Sequence, residues 1–186
     1  MNVFEAITAR RSIKQFTDRP VGREEIERLL QMVVEAPNHR MTEPWRFYVL
    51  GPEARRAWGE ALGARKAKRV EDPEAARAVV EKVASTHAAL PAMIAVATTL
   101  DEDPEIREED YAAAMMGVQN LMLAAAEMGL GTHLKTGAVM DDPRARAAVG
   151  VPDGERIVAV IHLGEPAAVP DAKPRRPAAE VTTWVA

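Results

Sequence analysis

Helices alternating with short apolar strands in a chain of 186 residues predict one domain that mixes α and β structure. Three observations carry that expectation. Ile26, Leu29, Leu30, Val33 and Val34 recur at the spacing of one helix face. Ala92-Met93-Ile94-Ala95-Val96-Ala97 is apolar at every position, and Ile157 to Leu163 nearly so, as strands covered on both faces are. Hydrophobic residues make up 47% of the chain and charged residues 28%, the profile of a globular protein with a real core.

The elements follow in order. Val3, Phe4 and Ile7 sit at helical spacing, and the chain then passes into an alternating, strand-like run from Arg10 to Phe16. The helix carrying Ile26 has Glu24 and Glu25 in its first turn, where acids complement the helix dipole. Trp45 to Leu50 reads as a strand stopped by Gly51-Pro52, with Trp45 and Phe47 expected in the core. Pro52 to about His87 is helical, broken near Asp72-Pro73. The buried strand from Ala92 follows, then an acidic loop, Asp101 to Glu105. A long helix from about Glu108 to Met128 is apolar nearly all round, so it is buried in the core or against another subunit. Gly129 and Gly131 end it. Arg144 to Val149 is a short helix, and the strand from Ile157 runs to Gly164-Glu165-Pro166. Beyond Ala167 the tail is punctuated by prolines and ends in Val181-Thr182-Thr183-Trp184-Val185, an expected edge strand.

Composition excludes several classes. A formal charge of −4 and a pI near 5.7 argue against a dedicated nucleic-acid binder. The absence of cysteine removes disulfides, thiolate nucleophiles and cysteine-based metal sites. The first residues enter an amphipathic helix with no leader-like pattern, and the longest apolar helix is interrupted by Gln119, Asn120 and Glu127, so the expected compartment is the cytoplasm, with no membrane partner. His39, His87, His133 and His162 are scattered and show no metal-ligand spacing. His162 is expected as a hydrogen-bonded core residue, and His87 at the surface. No metal site and no dedicated catalytic side chain is expected. No Gly-x-Gly-x-x-Gly turn follows a strand, which argues against a parallel dinucleotide-binding sheet.

Three stretches carry chemistry. Arg10-Arg11-Ser12-Ile13-Lys14-Gln15-Phe16 places three cations and a hydroxyl where a helix gives way to a strand, a cradle for a phosphate and an electron-rich ring; the alternative is a solvated helix end. Ala36 to Phe47 is a proline-bracketed loop dense in hydrogen-bonding groups. Gly129-Leu130-Gly131-Thr132-His133-Leu134-Lys135-Thr136-Gly137 repeats the ingredients of the first.

The order Arg-Arg-Ser-x-Lys-x-Phe, then Ala-Pro…Pro-Trp-x-Phe, then Gly-Leu-Gly-Thr resembles the nitroreductase-like FMN-dependent flavoproteins, and most closely their compact NAD(P)H nitroreductase members. That resemblance covers nearly the whole chain. It implies an α+β fold: a mixed, largely antiparallel sheet flanked by helices, in an intertwined homodimer. Residues 1–186 then form one FMN-binding domain, with 167–186 an extension that packs on the partner and adds a strand there. It also implies that Arg10, Arg11, Ser12 and Lys14 grip the phosphate, ribityl chain and pyrimidine edge. Asn38, His39 and Glu43 would close over the ring from the other subunit, and Leu134, Lys135 and Thr136 complete the pocket. Residues 52–90 become a candidate lid. Many relatives carry an amide where this chain has Glu43, which adds negative charge beside a group that gains electrons; binding of backbone amides is the other role open to Glu43.

The activity so implied is ping-pong hydride transfer from NAD(P)H through FMN to a small acceptor such as a nitroaromatic or quinone, with His39 a candidate for orienting the acceptor. Related folds also perform reductive dehalogenation or flavin fragmentation. A non-catalytic flavin sensor or carrier, and a cofactor-free helical interaction module, are the alternatives outside catalysis.

Overall fold

The computed structural model describes residues 1–185. Six α-helices and four strands alternate along the chain. These are α1 (Val3–Ala9), α2 (Arg23–Val34), β1 (Trp45–Val49), α3 (Pro52–Ala67), α4 (Pro73–Ala88), β2 (Ala92–Thr99), α5 (Pro104–Glu127), β3 (Gly131–Lys135), α6 (Pro143–Val149) and β4 (Glu155–Gly164). The sheet order is β1-β2-β4-β3, and every ladder is antiparallel. Its parallel component is the isolated bridge between Ser12 and Thr132. The fold is α+β, as expected.

Local chemistry explains the helix starts. Asn2 and Glu5 close a capping box on α1, with Glu5 N–H donating to Asn2 Oδ1 at 3.0 Å and Asn2 N–H to Glu5 Oε2 at 2.9 Å. Three Asp-Pro pairs start α4, α5 and α6: Asp72, Asp103 and Asp142 cap through their carboxylates, and the proline after each takes the first helical position. The Asp103-Pro104 pair pulls the start of α5 four residues ahead of the expected Glu108.

The core lies on both faces of the sheet. On one face, Ile26, Leu29 and Val33 of α2 and Val118, Leu121 and Ala125 of α5 pack against Ile94, Val96, Ile161 and Leu163. On the other, Trp58 and Ala61 of α3 and Ala145 of α6 cover Met93, Ala95, Ile157 and Val160. Trp45 is buried and Phe47 packs half-buried against the same interior. The helical region 52–90 is an α3–α4 hairpin stacked on the second face.

The sequence reading differs from the structure at residues 12–16, which bridge their neighbours only at Ser12 and Phe16 and form no strand. Within the protomer the tail makes a short 3₁₀ turn, Ala178–Val181, and no strand; Trp184 and Val185 stand about nine-tenths exposed. The long helix is buried in the core along much of its length, and Tyr111 and Met116 lie open on the protomer surface, as do Val3, Phe4 and Ile7 of α1.

Gly117 tests the packing of α2 on α5. A Cβ there would lie 2.5 Å from Val33 Cγ1 and 2.6 Å from the Val33 carbonyl oxygen. Alanine gains about 1 kcal/mol of helix propensity, but overpacking against backbone costs about 1–3 kcal/mol. Gly117→Ala is therefore expected to lower the unfolding free energy by about 1 kcal/mol, read as a reduced denaturant midpoint at unchanged slope.

Candidate functional site

The site is built on β3. Ile13 N–H donates to the Thr132 carbonyl at 2.9 Å, and Ser12 bridges Thr132, so the segment after α1 runs beside β3. Gly131 permits that approach: a Cβ there would sit 2.5 Å from Ile13 Cγ1. On the other side of the same segment the chain leaving β4 folds back. Thr17 N–H donates to the Glu165 carbonyl at 2.9 Å, and Ala167 N–H to the Gln15 carbonyl at 3.0 Å. Residues 10–17 are thus held between β3 and the tail.

This sandwich forms a groove of about 880 Å³ lined by Arg10, Arg11, Ser12 and Lys14 on one wall and by Lys173 and Arg175 on the other. Among the described residues, Arg10, Lys14, Lys173 and Arg175 have no carboxylate ion-pair partner, although the chain as a whole is acidic. Arg11 is partly engaged, its Nη1 donating to the Thr8, Ala9 and Arg10 carbonyls at the end of α1. Sequence reasoning missed Lys173 and Arg175. The signal was the basic run Lys173-Pro174-Arg175-Arg176 inside an otherwise unremarkable tail.

Lys135, the last residue of β3, lies within electrostatic reach of Lys14 and Lys66. Its proton affinity is lowered by burial and by the fields of Lys66 and Lys14. Thr136 lies just beyond, exposed, in a second depression of about 520 Å³ shared with Arg65, Lys66 and Arg69 of the α3 end. Leu134 turns its side chain to the opposite face and packs against the α2/α5 core, which leaves its backbone as its point of contact with a ligand.

Behind Lys135 stand three histidines in a row. The His87 and His162 rings are 5.2 Å apart and the His162 and His133 rings 6.0 Å, both edge-to-face. His87, expected at the surface, is buried at 7% exposure because it sits where α4 packs on Gly59 of α3, with its ring against His162 of β4. Its Nδ1 hydrogen-bonds the Val83 carbonyl at 2.7 Å. His162 is a core residue, as expected, but its Nε2 has no partner. Burial, reinforced by His87, Lys135 and His133, pushes its pKa down to about 3. His87 and His133 are shifted in the same direction, both mainly by burial.

Asn38, His39 and Glu43 lie elsewhere. Their loop precedes β1 at the opposite edge of the sheet from β3, three strand spacings or roughly 14 Å away. It is anchored to the first turns of α5: His39 Nδ1 lies 2.9 Å from Glu109 Oε1, Arg40 Nε 3.2 Å from Glu109 Oε2, and Thr42 bonds Asp110. Arg40, Met41 and Glu43 have φ of 63°, 51° and 44°, a left-handed backbone costly for residues with a Cβ. Asn38 holds the strain in place, accepting from Glu43 N–H at 2.7 Å and donating to Thr42 Oγ1 at 3.0 Å. The Glu43 carboxylate itself is exposed and bonds no backbone amide among the described residues. One protomer therefore joins the first and third motifs and leaves the second apart.

The sequence model of the Nitroreductase family matches residues 7–165, which include all three motifs and the whole sheet. The chain belongs to that family. Among its relatives is YfhC of Bacillus subtilis, which bears a provisional NAD(P)H nitroreductase name; the two are 34% identical over 173 residues, 93% of this chain and 89% of YfhC. The solved structure of a nitroreductase-like family protein from Bacillus cereus superposes with a TM-score of 0.86 at 29% identity, covering 100% of this chain and 96% of that one. A Desulfovibrio desulfuricans protein, described provisionally as a nitroreductase and solved in complex with FMN, gives a TM-score of 0.74 at 25% identity, covering 99% and 96% of the two chains. No helix among the described residues is long and apolar enough to cross a membrane.

The histidine row gives this family member a pH-dependent stability. Below the ordinary histidine value of 6.5 the unfolded chain takes up protons that His162 refuses in the fold, so stability is fully present above that pH and is lost as pH falls toward 3. At pH 5 the His162 contribution reaches about 2 kcal/mol. The difference in unfolding free energy between the wild type and His162→Phe should shift by that amount between pH 7.5 and pH 5; a constant difference would show that His162 accepts a proton in the folded state.

Proposed function

We propose that this chain is an FMN-dependent NAD(P)H oxidoreductase that reduces small acceptors of the nitroaromatic or quinone class by a ping-pong cycle. The observation that carries the reading is the groove in which Arg10, Ser12 and Lys14 face Lys173 and Arg175. Its volume suits a cofactor-sized ligand. Its polar lining, five cations against the single carboxylate of Asp171, with the Ser12 hydroxyl beside them and the Thr8 hydroxyl engaged by its own helix, matches a phosphate ester. The FMN carried by the related Desulfovibrio protein supports the same ligand here. Bound there, FMN supplies the hydride acceptance and return for which this cysteine-free chain has no side chain of its own.

The chain's residues then have separable tasks. Arg10, Lys173 and Arg175 pair with the phosphate, and the Ser12 hydroxyl donates to it. Lys14 and Lys135 place positive charge where the reduced ring carries its negative charge. Thr136 and the Leu134 backbone border the ring. Donor and acceptor use the same open face in turn, which is why one cleft serves both half-reactions.

The reading includes a homodimer. Val3, Phe4, Ile7, Tyr111, Met116, Trp184 and Val185 offer exposed apolar surface beyond what a monomer commonly leaves bare. A two-fold partner would also bring its own Asn38, His39 and Glu43 to the groove that this protomer's loop does not reach, with the tail lying across that partner.

The purified protein should be yellow, with visible flavin bands that bleach under anaerobic NADPH or NADH and return on adding a nitroaromatic or quinone. Flavin bands that neither donor bleaches would point to a sensor or carrier instead, and a colourless protein that takes up no added FMN would overturn the cofactor. Arg10→Ala and Arg175→Ala should each weaken FMN binding by about tenfold, read as flavin fluorescence quenching during titration of the stripped protein. Unchanged affinity in both would move the phosphate out of the groove.

A further inference from the structure

The cationic surface continues past the place that one phosphate can occupy. The depression beyond Thr136 is walled by Arg65, Lys66 and Arg69 at the end of α3 and floored by Thr136, Gly137 and Ala138. Arg65 leans on Asp142, its Nη1 lying 3.5 Å from Oδ2, while Lys66 and Arg69 have no carboxylate partner among the described residues. Lys66 is close enough to disturb both Lys135 and His87 electrostatically, so this depression adjoins the ring-binding region rather than a remote surface. Thr132, which holds Ser12, is the second residue of β3, and Thr136 follows its last residue, Lys135. The phosphate groove therefore lies toward the start of β3 and the Arg65–Arg69 depression just past its end.

A flavin mononucleotide brings a single phosphate, and the Arg10–Arg175 groove already accounts for it. We propose that Lys66 and Arg69, with Arg65, form a second anion site that takes the terminal 2′-phosphate of NADPH and makes NADPH the preferred donor. This rests on the oxidoreductase reading above and adds the identity of its donor. A 2′-phosphate is a dianionic monoester at the end of the molecule. It suits two unpaired cations lining one depression, with the neighbouring Arg65 fork to complete its donors. The pyrophosphate common to NADH and NADPH is the other phosphate within such a ligand, and the test separates the two.

The flavin-loaded protein is titrated anaerobically with each donor while flavin bleaching is followed. In parallel, adenosine 2′,5′-bisphosphate and adenosine 5′-monophosphate are titrated calorimetrically as donor fragments. The wild type should half-saturate with NADPH at about a tenfold lower concentration than with NADH, and should bind the bisphosphate more tightly than the monophosphate by a similar factor. In Lys66→Ala/Arg69→Ala both ratios should fall toward one while the NADH titration stays where it was, and raised salt should erode the wild-type ratio. A wild-type ratio near one, or a ratio that the double variant leaves intact, overturns the site. Equal weakening of NADH and NADPH in the double variant assigns these cations to the pyrophosphate and overturns the 2′-phosphate. A bound flavin that neither donor bleaches, in a protein that still prefers the bisphosphate, overturns the oxidoreductase reading while leaving the anion site standing.

Discussion

Two strands set the architecture. β2 and β4 pair antiparallel and are buried along most of their length, with Met93 through Ala97 and Ile157 through Leu163 almost wholly removed from solvent. Strands apolar on both faces require cover on both: α2 and α5 lie on one side and α3 and α6 on the other, with α1 packed on α5 and α4 on α3. With the central pair committed to packing, polar chemistry is displaced to the flanks. β3 holds one flank and the loop before β1 the other.

The β3 flank becomes cationic because distant parts of the chain converge on it. The segment after α1, the tail after β4 and the end of α3 bring Arg10, Lys14, Lys173, Arg175, Lys66 and Arg69 to this side of the molecule, while several carboxylates are engaged elsewhere. Glu25 and Glu165 engage Arg19, Glu109 engages His39 and Arg40, and Glu155 engages Tyr48 and Arg46. Like charges so gathered repel, and the lowered proton affinity of Lys135 is one consequence. An anionic ligand removes that repulsion as it binds, so the same arrangement that costs stability in the free protein favours association.

The loop at the other flank is preorganised at a cost. Three consecutive-range residues, Arg40, Met41 and Glu43, hold left-handed backbone against Asn38 and the acidic first turns of α5. Such strain persists only where surrounding bonds over-determine it, and it fixes the direction in which His39 and its neighbours face outward from the protomer. Within the proposed dimer that outward face is the one that closes the partner's groove.

Most of the secondary structure was written in local pattern. The apolar periodicity of 26–34, the double-sided runs at 92–97 and 157–163 and the helix break at Asp72-Pro73 all formed as read, because each depends on residues a few positions apart. Family membership was legible too, since the three motifs are contiguous. Where those motifs meet was not. Asn38 and Lys135 look equivalent in sequence, yet antiparallel pairing sends them to opposite edges of the sheet. Lys173 and Arg175 carried no assignment along the chain until its return beside Gln15 brought them to the groove of Arg10. His87 read as surface until the packing of α4 on α3 set its ring against His162. By itself the sequence determined the elements, the double-sided core and the cationic ingredients of a site, because those follow from spacing and side-chain chemistry along the chain. Only the tertiary structure decided which charges share a groove and which histidines lose water, because proximity and burial are set by contacts between segments far apart along the chain.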